Sequence, residues 1–211
     1  MKKIVQLTTL LLLMMGFNQV QAKDPVRSAN QIGIYPFTVT TDGLGLGVFY
    51  ERDVGSSDKA SFVMPVRLLI NSYENYDIYP STGSSTDFRN FIEFAPGMKF
   101  YPINRDRVLT FALGPSLYYS YGAYEAYRDM GDYSQPVDRE YFDRQVHSLG
   151  ILANAYLDVT IAKQFVMGLQ MGLGINYLTL EKDKMRNGVQ TTRQEIFQPV
   201  GQFTLSFAYR F

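Results

Sequence analysis

Phe165–Tyr177 reads FVMGLQMGLGINY, and its alternate residues fall into two unlike sets. Phe165, Met167, Leu169, Met171, Leu173, Ile175 and Tyr177 are large and apolar, whereas Val166, Gly168, Gln170, Gly172, Gly174 and Asn176 are small or uncharged. A period of two puts the sets on opposite faces of a β-strand. Which face is enclosed decides the fold. A soluble barrel would turn the second set to water, and a water-facing surface carries charge for solubility. This one has no charge and three glycines. Small residues suit a crowded interior, so the apolar set is expected to look outward into hydrocarbon.

The same alternation recurs along the chain. Leu44 to Tyr50, Phe62 to Ile70, Phe88 to Phe100, Leu109 to Tyr119, Leu149 to Val159 and Phe203 to Phe211 each show it, and Gln31 to Val39 adds a weaker run of uncertain phase. With the opening stretch these make eight strands. Short links fall near 54–59, 103–107 and 161–164, and longer polar ones near 74–86, 122–144 and 179–193; the short link at Thr41-Asp42-Gly43 lies on the long-loop side. On the apolar parity, Phe88, Tyr119, Tyr121 and Tyr177 lie at the long-loop ends, and Tyr50, Phe62, Phe100, Phe165, Tyr209 and Phe211 at the short-turn ends. Two aromatic girdles flanking an aliphatic band are the profile of a bilayer-spanning barrel. The expected architecture is all-β: an eight-stranded antiparallel up-and-down transmembrane β-barrel with short periplasmic turns and longer extracellular loops.

Composition sets further bounds. The 211 residues carry 20 Lys and Arg against 20 Asp and Glu, so the basic excess of a nucleic-acid binder is missing. With no Cys there is no disulfide framework and no thiolate metal site. Lys2 and Lys3, the apolar run Leu7–Phe17 and Val20-Gln21-Ala22 read as a secretory signal over residues 1–22, leaving 23–211 as the barrel domain. Past the signal no apolar run is long enough for a membrane helix, but a closed barrel can cross without one.

On these features the chain resembles the small eight-stranded outer-membrane barrels of the OmpX and OmpA-transmembrane-domain type and related bacterial outer-membrane β-barrel families. The most specific match is the terminal FTLSFAYRF, where Phe203, Phe207, Tyr209 and Phe211 fit the C-terminal signal that the outer-membrane insertase recognises. EFAPGMKFYP and LGPSLYYSYG also look like stretches of such barrels. The resemblance implies a Gram-negative outer-membrane location, contact with outer-membrane lipids and lipopolysaccharide, assembly by the insertase, and a monomer.

The interior parity contains charges. Glu51, Lys99, Asp158 and Arg210 fall near the short-turn end, Arg67 and Glu93 near mid-depth on neighbouring strands, and Arg89 higher. An eight-stranded barrel is only wide enough to be filled by side chains, and an unpaired buried charge is costly. These residues are therefore expected to pair as a structural network that plugs the lumen, with Arg67–Glu93 as the specific pair. A narrow solute path is the alternative. Inward glycines such as Gly43, Gly45 and Gly47 would make room for Tyr118, Tyr156, Phe91 and Phe49, or allow strong curvature.

His147, the sole histidine, precedes Ser148. Adjacent strand residues point to opposite faces, so the two cannot form a nucleophile–base pair directly. A barrel lipid A deacylase would carry His and Ser two residues apart, and Leu149 occupies that position. No catalytic residue, metal set or cofactor is assigned. Loop contacts are expected from Tyr124, Tyr127, Tyr133 and Tyr141, and from Lys182, Lys184 and Arg186, whose cations could meet lipopolysaccharide phosphates. Should the strands outrun the membrane, Tyr118–Tyr127 would continue as a protruding hairpin. The function read from the sequence is a non-enzymatic outer-membrane barrel that supports the envelope or presents loops for binding. A lipid-modifying enzyme or a narrow channel is the alternative.

Overall fold

A computed structural model describes residues 30–54, 59–74, 86–102, 108–129, 139–185 and 190–211. The expected signal, 1–22, lies outside them, as do Tyr133, Arg186 and most of the links near 54–59, 74–86 and 103–107. The strands are β1 (Asn30–Thr40), β2 (Gly43–Asp53), β3 (Ala60–Glu74), β4 (Thr86–Phe94), β5 (Gly97–Phe100), β6 (Leu109–Asp129), β7 (Arg139–Thr160), β8 (Phe165–Met185), β9 (Gln190–Glu195) and β10 (Gln198–Arg210). β4 and β5 are one stave interrupted at Ala95-Pro96, and β9 and β10 another interrupted at Ile196-Phe197, so the wall has eight staves. Every pairing is antiparallel, and β10 pairs with both β8 and β1, which closes the sheet into an up-and-down barrel. Closure gives each stave a neighbour on both sides and removes the unpaired edges of an open sheet.

The apolar parity faces out. On β8, Leu169, Met171, Leu173 and Ile175 are exposed, while Gly168, Gln170, Gly172 and Asn176 are buried. The same division holds on β3, where Met64, Val66, Leu68 and Ile70 are exposed against buried Val63, Pro65, Arg67 and Leu69. The uncertain phase of the first run has a physical cause. Pro36 cannot donate to a ladder, and the register of β1 against both neighbours shifts between Ile34 or Tyr35 and Phe37 or Thr38. This bulge moves the inward set from Gln31, Gly33 and Tyr35 to Thr38 and Thr40.

Two links expected as loops are largely strand. β6 and β7 stay paired from Leu109↔Val159 to Asp129↔Arg139, so the hairpin through Tyr118–Tyr127 does protrude. β8 and β9 pair from Thr179↔Glu195 to Lys184↔Gln190, which replaces most of the expected 179–193 loop. The hydrophobic alternation fades there because polar residues occupy both faces, while the backbone ladder continues unbroken. β4 leaves β6 at Asn90↔Ala123, and β1 leaves β10 at Thr40↔Gln202. Beyond that rim β6, β7, β8 and β9 form a four-stranded extension on one side of the mouth.

The inward glycines act in two ways. A Cβ on Gly33 would sit 2.3 Å from the Phe49 ring, which stacks on Tyr35 at 4.7 Å. A Cβ on Gly45 would sit 1.9 Å from the Leu68 carbonyl oxygen, so that glycine lets neighbouring staves crowd in a tightly curved wall.

Candidate functional site

The enclosed charges form two layers. In the short-turn layer, Lys99 on β5 places Nζ 2.8 Å from Glu51 Oε2 on β2 and 3.4 Å from Asp158 Oδ2 on β7, and lies 4.6 Å over the Tyr156 ring. Glu51 also accepts from Gln31 Nε2 at 2.6 Å and from the Ser61 and Tyr101 hydroxyls, each at 2.7 Å. Arg210 Nε donates to Gln31 Oε1 at 3.4 Å, which ties the last stave to the first. Each charge meets opposite charge or hydrogen-bond partners, the condition for tolerating an ion in a low-dielectric interior.

In the middle layer Arg67 and Glu93 are direct ladder neighbours on β3 and β4, and they form an ion pair whose side chains are both 0% exposed. Arg67 Nη2 also donates to Gln170 Oε1 at 3.3 Å, and its guanidinium lies 4.9 Å from the Tyr35 ring centroid. The Arg67–Gln170 contact crosses the lumen, and from Gln170 the polar chain runs on along neighbouring staves. Gln170 Nε2 and Gln202 Nε2 both donate to Asn154 Oδ1, at 3.1 and 2.6 Å, and Asn154 Nδ2 donates to Ser116 Oγ at 2.9 Å. Staves β3, β4, β6, β7, β8 and β10 are thereby joined through their interior side chains. Tyr118 donates to Asp42 above this belt. The belt of neutral amides was not singled out from the sequence. Its signal is an amide alone among small residues on an inward parity, as Gln170 is between Gly168 and Gly172.

Arg89 stands apart from the middle layer, its guanidinium 4.3 Å from the Tyr124 ring. In the extension, Arg144 Nε and Nη2 donate to the two Asp183 oxygens at 2.7 and 2.8 Å, and Nη1 lies 3.4 Å from Glu181 Oε2. The Asp183 carboxylate holds the Arg144 pKa above its ordinary value, against the opposing effect of burial. Of the expected loop-contact residues, Tyr141 is exposed, Lys182 and Lys184 are exposed, and Tyr124 is half-buried under Arg89. Tyr127 is the ladder neighbour of Tyr141.

Phe203, Phe207, Tyr209 and Phe211 share the outward face of the last stave, with the Tyr209 ring edge-on to Phe165 at 5.4 Å. His147 and Ser148 part company. His147 Nδ1 lies 3.0 Å from the Tyr119 hydroxyl on the outer surface, and buried Ser148 lies 3.4 Å from Thr179 Oγ1. Among the described residues no group of three His, Cys, Asp or Glu is placed to hold a metal.

No family model matches the chain, and no curated protein sequence matches it. It is similar in structure to OprG, an outer membrane protein of Pseudomonas aeruginosa, with a TM-score of 0.60 at 10% identity over 87% of this chain and 97% of that one. It is also similar to a major outer membrane protein from Thermus thermophilus, with a TM-score of 0.56 at 12% identity over 86% of this chain and 98% of that one. The fold is that of the small outer-membrane β-barrels.

Proposed function

We propose that this chain is a non-enzymatic integral outer-membrane barrel whose lumen is plugged and whose β6–β9 extension is presented outside the cell. The outward face favours a bilayer. Phe165 to Tyr177 rises roughly 30 Å along a barrel axis at the usual strand rise and tilt, enough to cover an apolar band of about 25 Å. The observation that carries the plugged lumen is the fully enclosed Arg67–Glu93 pair, continued across the interior by Gln170, Asn154, Gln202 and Ser116. A water-filled pore would leave such charges solvated. Phe203, Phe207, Tyr209 and Phe211 serve the insertase during assembly, and the extension with its Tyr and Lys residues supplies the contact surface. Planar-bilayer recording tests the plug: the wild type should show no steady conductance. A steady ohmic conductance in the wild type would overturn the plug in favour of a solute channel.

A further inference from the structure

The extension of β8 sorts its charges by face. The sequence Glu181-Lys182-Asp183-Lys184 alternates acid and base. Glu181 and Asp183 turn inward and are matched by Arg144. Lys182 and Lys184 turn outward, both exposed, and neither joins an ion pair among the described residues. The ladder neighbours of Lys182 are Gln145 on β7 and Thr192 on β9, both exposed, neutral and able to hydrogen-bond. Lys184, one row higher, lies between Asp143 and Gln190. Lys182 is thus the less compensated cation.

Its height matters as much as its charge. One outward row below Lys182 comes Leu180, in register with His147, which is in register with Tyr121. The Tyr121 and His147 rings lie tilted to each other with centroids 5.0 Å apart and mark the aromatic girdle. At the strand rise and usual tilt, one row is about 5 Å. Lys182 therefore projects sideways, on the lipid-facing side, at the level where headgroup phosphates of the outer leaflet sit. A protein partner arriving from outside would meet the tip of the extension first, whereas in a bilayer a lipid phosphate would sit beside this spot.

Resting on the barrel assignment above, we propose that Lys182, with Lys184, Gln145 and Thr192, forms a site for the phosphate of an outer-leaflet phosphoglycolipid of the lipid A type. The lysines supply charge-assisted hydrogen bonds to the phosphate oxygens, and the amide and hydroxyl can reach its remaining oxygens or the adjoining sugar.

The test uses the full mature chain folded in detergent micelles and titrated with bisphosphorylated lipid A or its fully dephosphorylated form, with bound lipid counted by native mass spectrometry. The wild type should favour the phosphorylated form. Two lysines near a charged interface are worth a combined factor of roughly thirty, so Lys182→Gln with Lys184→Gln should weaken phosphorylated lipid A about thirtyfold and leave the dephosphorylated form unchanged. Lys182→Arg should retain binding. Equal binding of both lipids by the wild type, or an unaltered preference in the double variant, overturns the site. Full competition by millimolar inorganic phosphate would show an anion site indifferent to lipid and overturns the lipid assignment. If the double variant does not fold, the wild type decides alone: its preference must fall steeply with salt, and a salt-independent preference refutes the proposal. Failure of the wild type to float with liposomes would sink the barrel reading, whereas flotation without phosphate discrimination sinks only this site.

Discussion

Arg67→Leu removes one partner of the enclosed pair and leaves Glu93 in place. In the wild type Arg67 touches Glu93, Gln170 at 3.3 Å and the Tyr35 ring at 4.9 Å, and neither side chain of the pair reaches solvent. Glu93 Oε2 already lacks a hydrogen-bond partner, so without Arg67 the carboxylate has little left to stabilise its charge. Removing one member of a buried pair costs about 3–5 kcal/mol, whereas replacing both by apolar groups is often neutral. Arg67→Leu and Glu93→Leu should each lose about that much. The combined Arg67→Leu, Glu93→Leu variant should recover to within about 2 kcal/mol of the wild type, because no stranded charge remains. Reversible urea unfolding in lipid vesicles measures this, read by far-UV circular dichroism because the chain has no Trp. A single-variant cost under about 1 kcal/mol would mean that water reaches the pair. Additive losses in the double variant would mean that the two side chains are not coupled. Either result refutes the reasoning.

Other regions give separate tests. Leu173, 76% exposed on the outward face of β8, should lose about 2–4 kcal/mol as Leu173→Arg in the same titration; a neutral result would place it outside hydrocarbon. Gly45→Val forces a side chain onto the Leu68 carbonyl oxygen, 1.9 Å from the nearest Cβ position, and should abolish the heat-modifiable gel form. Normal mobility in that variant would show that the wall can yield there. Arg144→Ala removes the links to Asp183 and Glu181. It should speed amide exchange about tenfold in 141–145 and 181–184 and leave 149–160 unchanged, since a hydrogen bond to a charged group contributes about 1.5–3 kcal/mol before the loss from partial exposure. Unaltered exchange in the extension would show that the backbone ladder holds it alone.

The fold was legible wherever one face of a strand meets an apolar medium. Leu169, Met171 and Leu173 alternate with Gly168, Gln170 and Gly172 because the two sides of the wall differ in chemistry. The reading failed where that difference ends. Past Leu180 both faces of β8 are polar, and a polar strand carries no hydrophobic period that separates it from a loop. Pro36 and the bulge in β1 scrambled the phase of one run, and the Tyr177 bulge in β8 shifts the inward set from Asn176 to Thr179. The placement of Arg67 beside Glu93 follows from parity and register, both visible in the residues. The Arg67–Gln170 contact does not, because β3 and β8 stand on opposite sides of the barrel and strand parity says nothing about which residues meet across a lumen.

The central claim is that the apolar side of this sheet contacts hydrocarbon and the glycine-rich side is enclosed. Because the chain has no Cys, single cysteines at 167, 169, 170, 171, 173 and 175 can each carry a spin label without background. Collision accessibility to oxygen and to a water-soluble nickel complex is then measured in lipid vesicles. The account predicts oxygen-accessible, nickel-shielded labels at Met167, Leu169, Met171, Leu173 and Ile175, with low oxygen accessibility at the inward Gln170. Nickel-accessible labels at Leu169 and Leu173 on a folded protein in detergent-free buffer would contradict it.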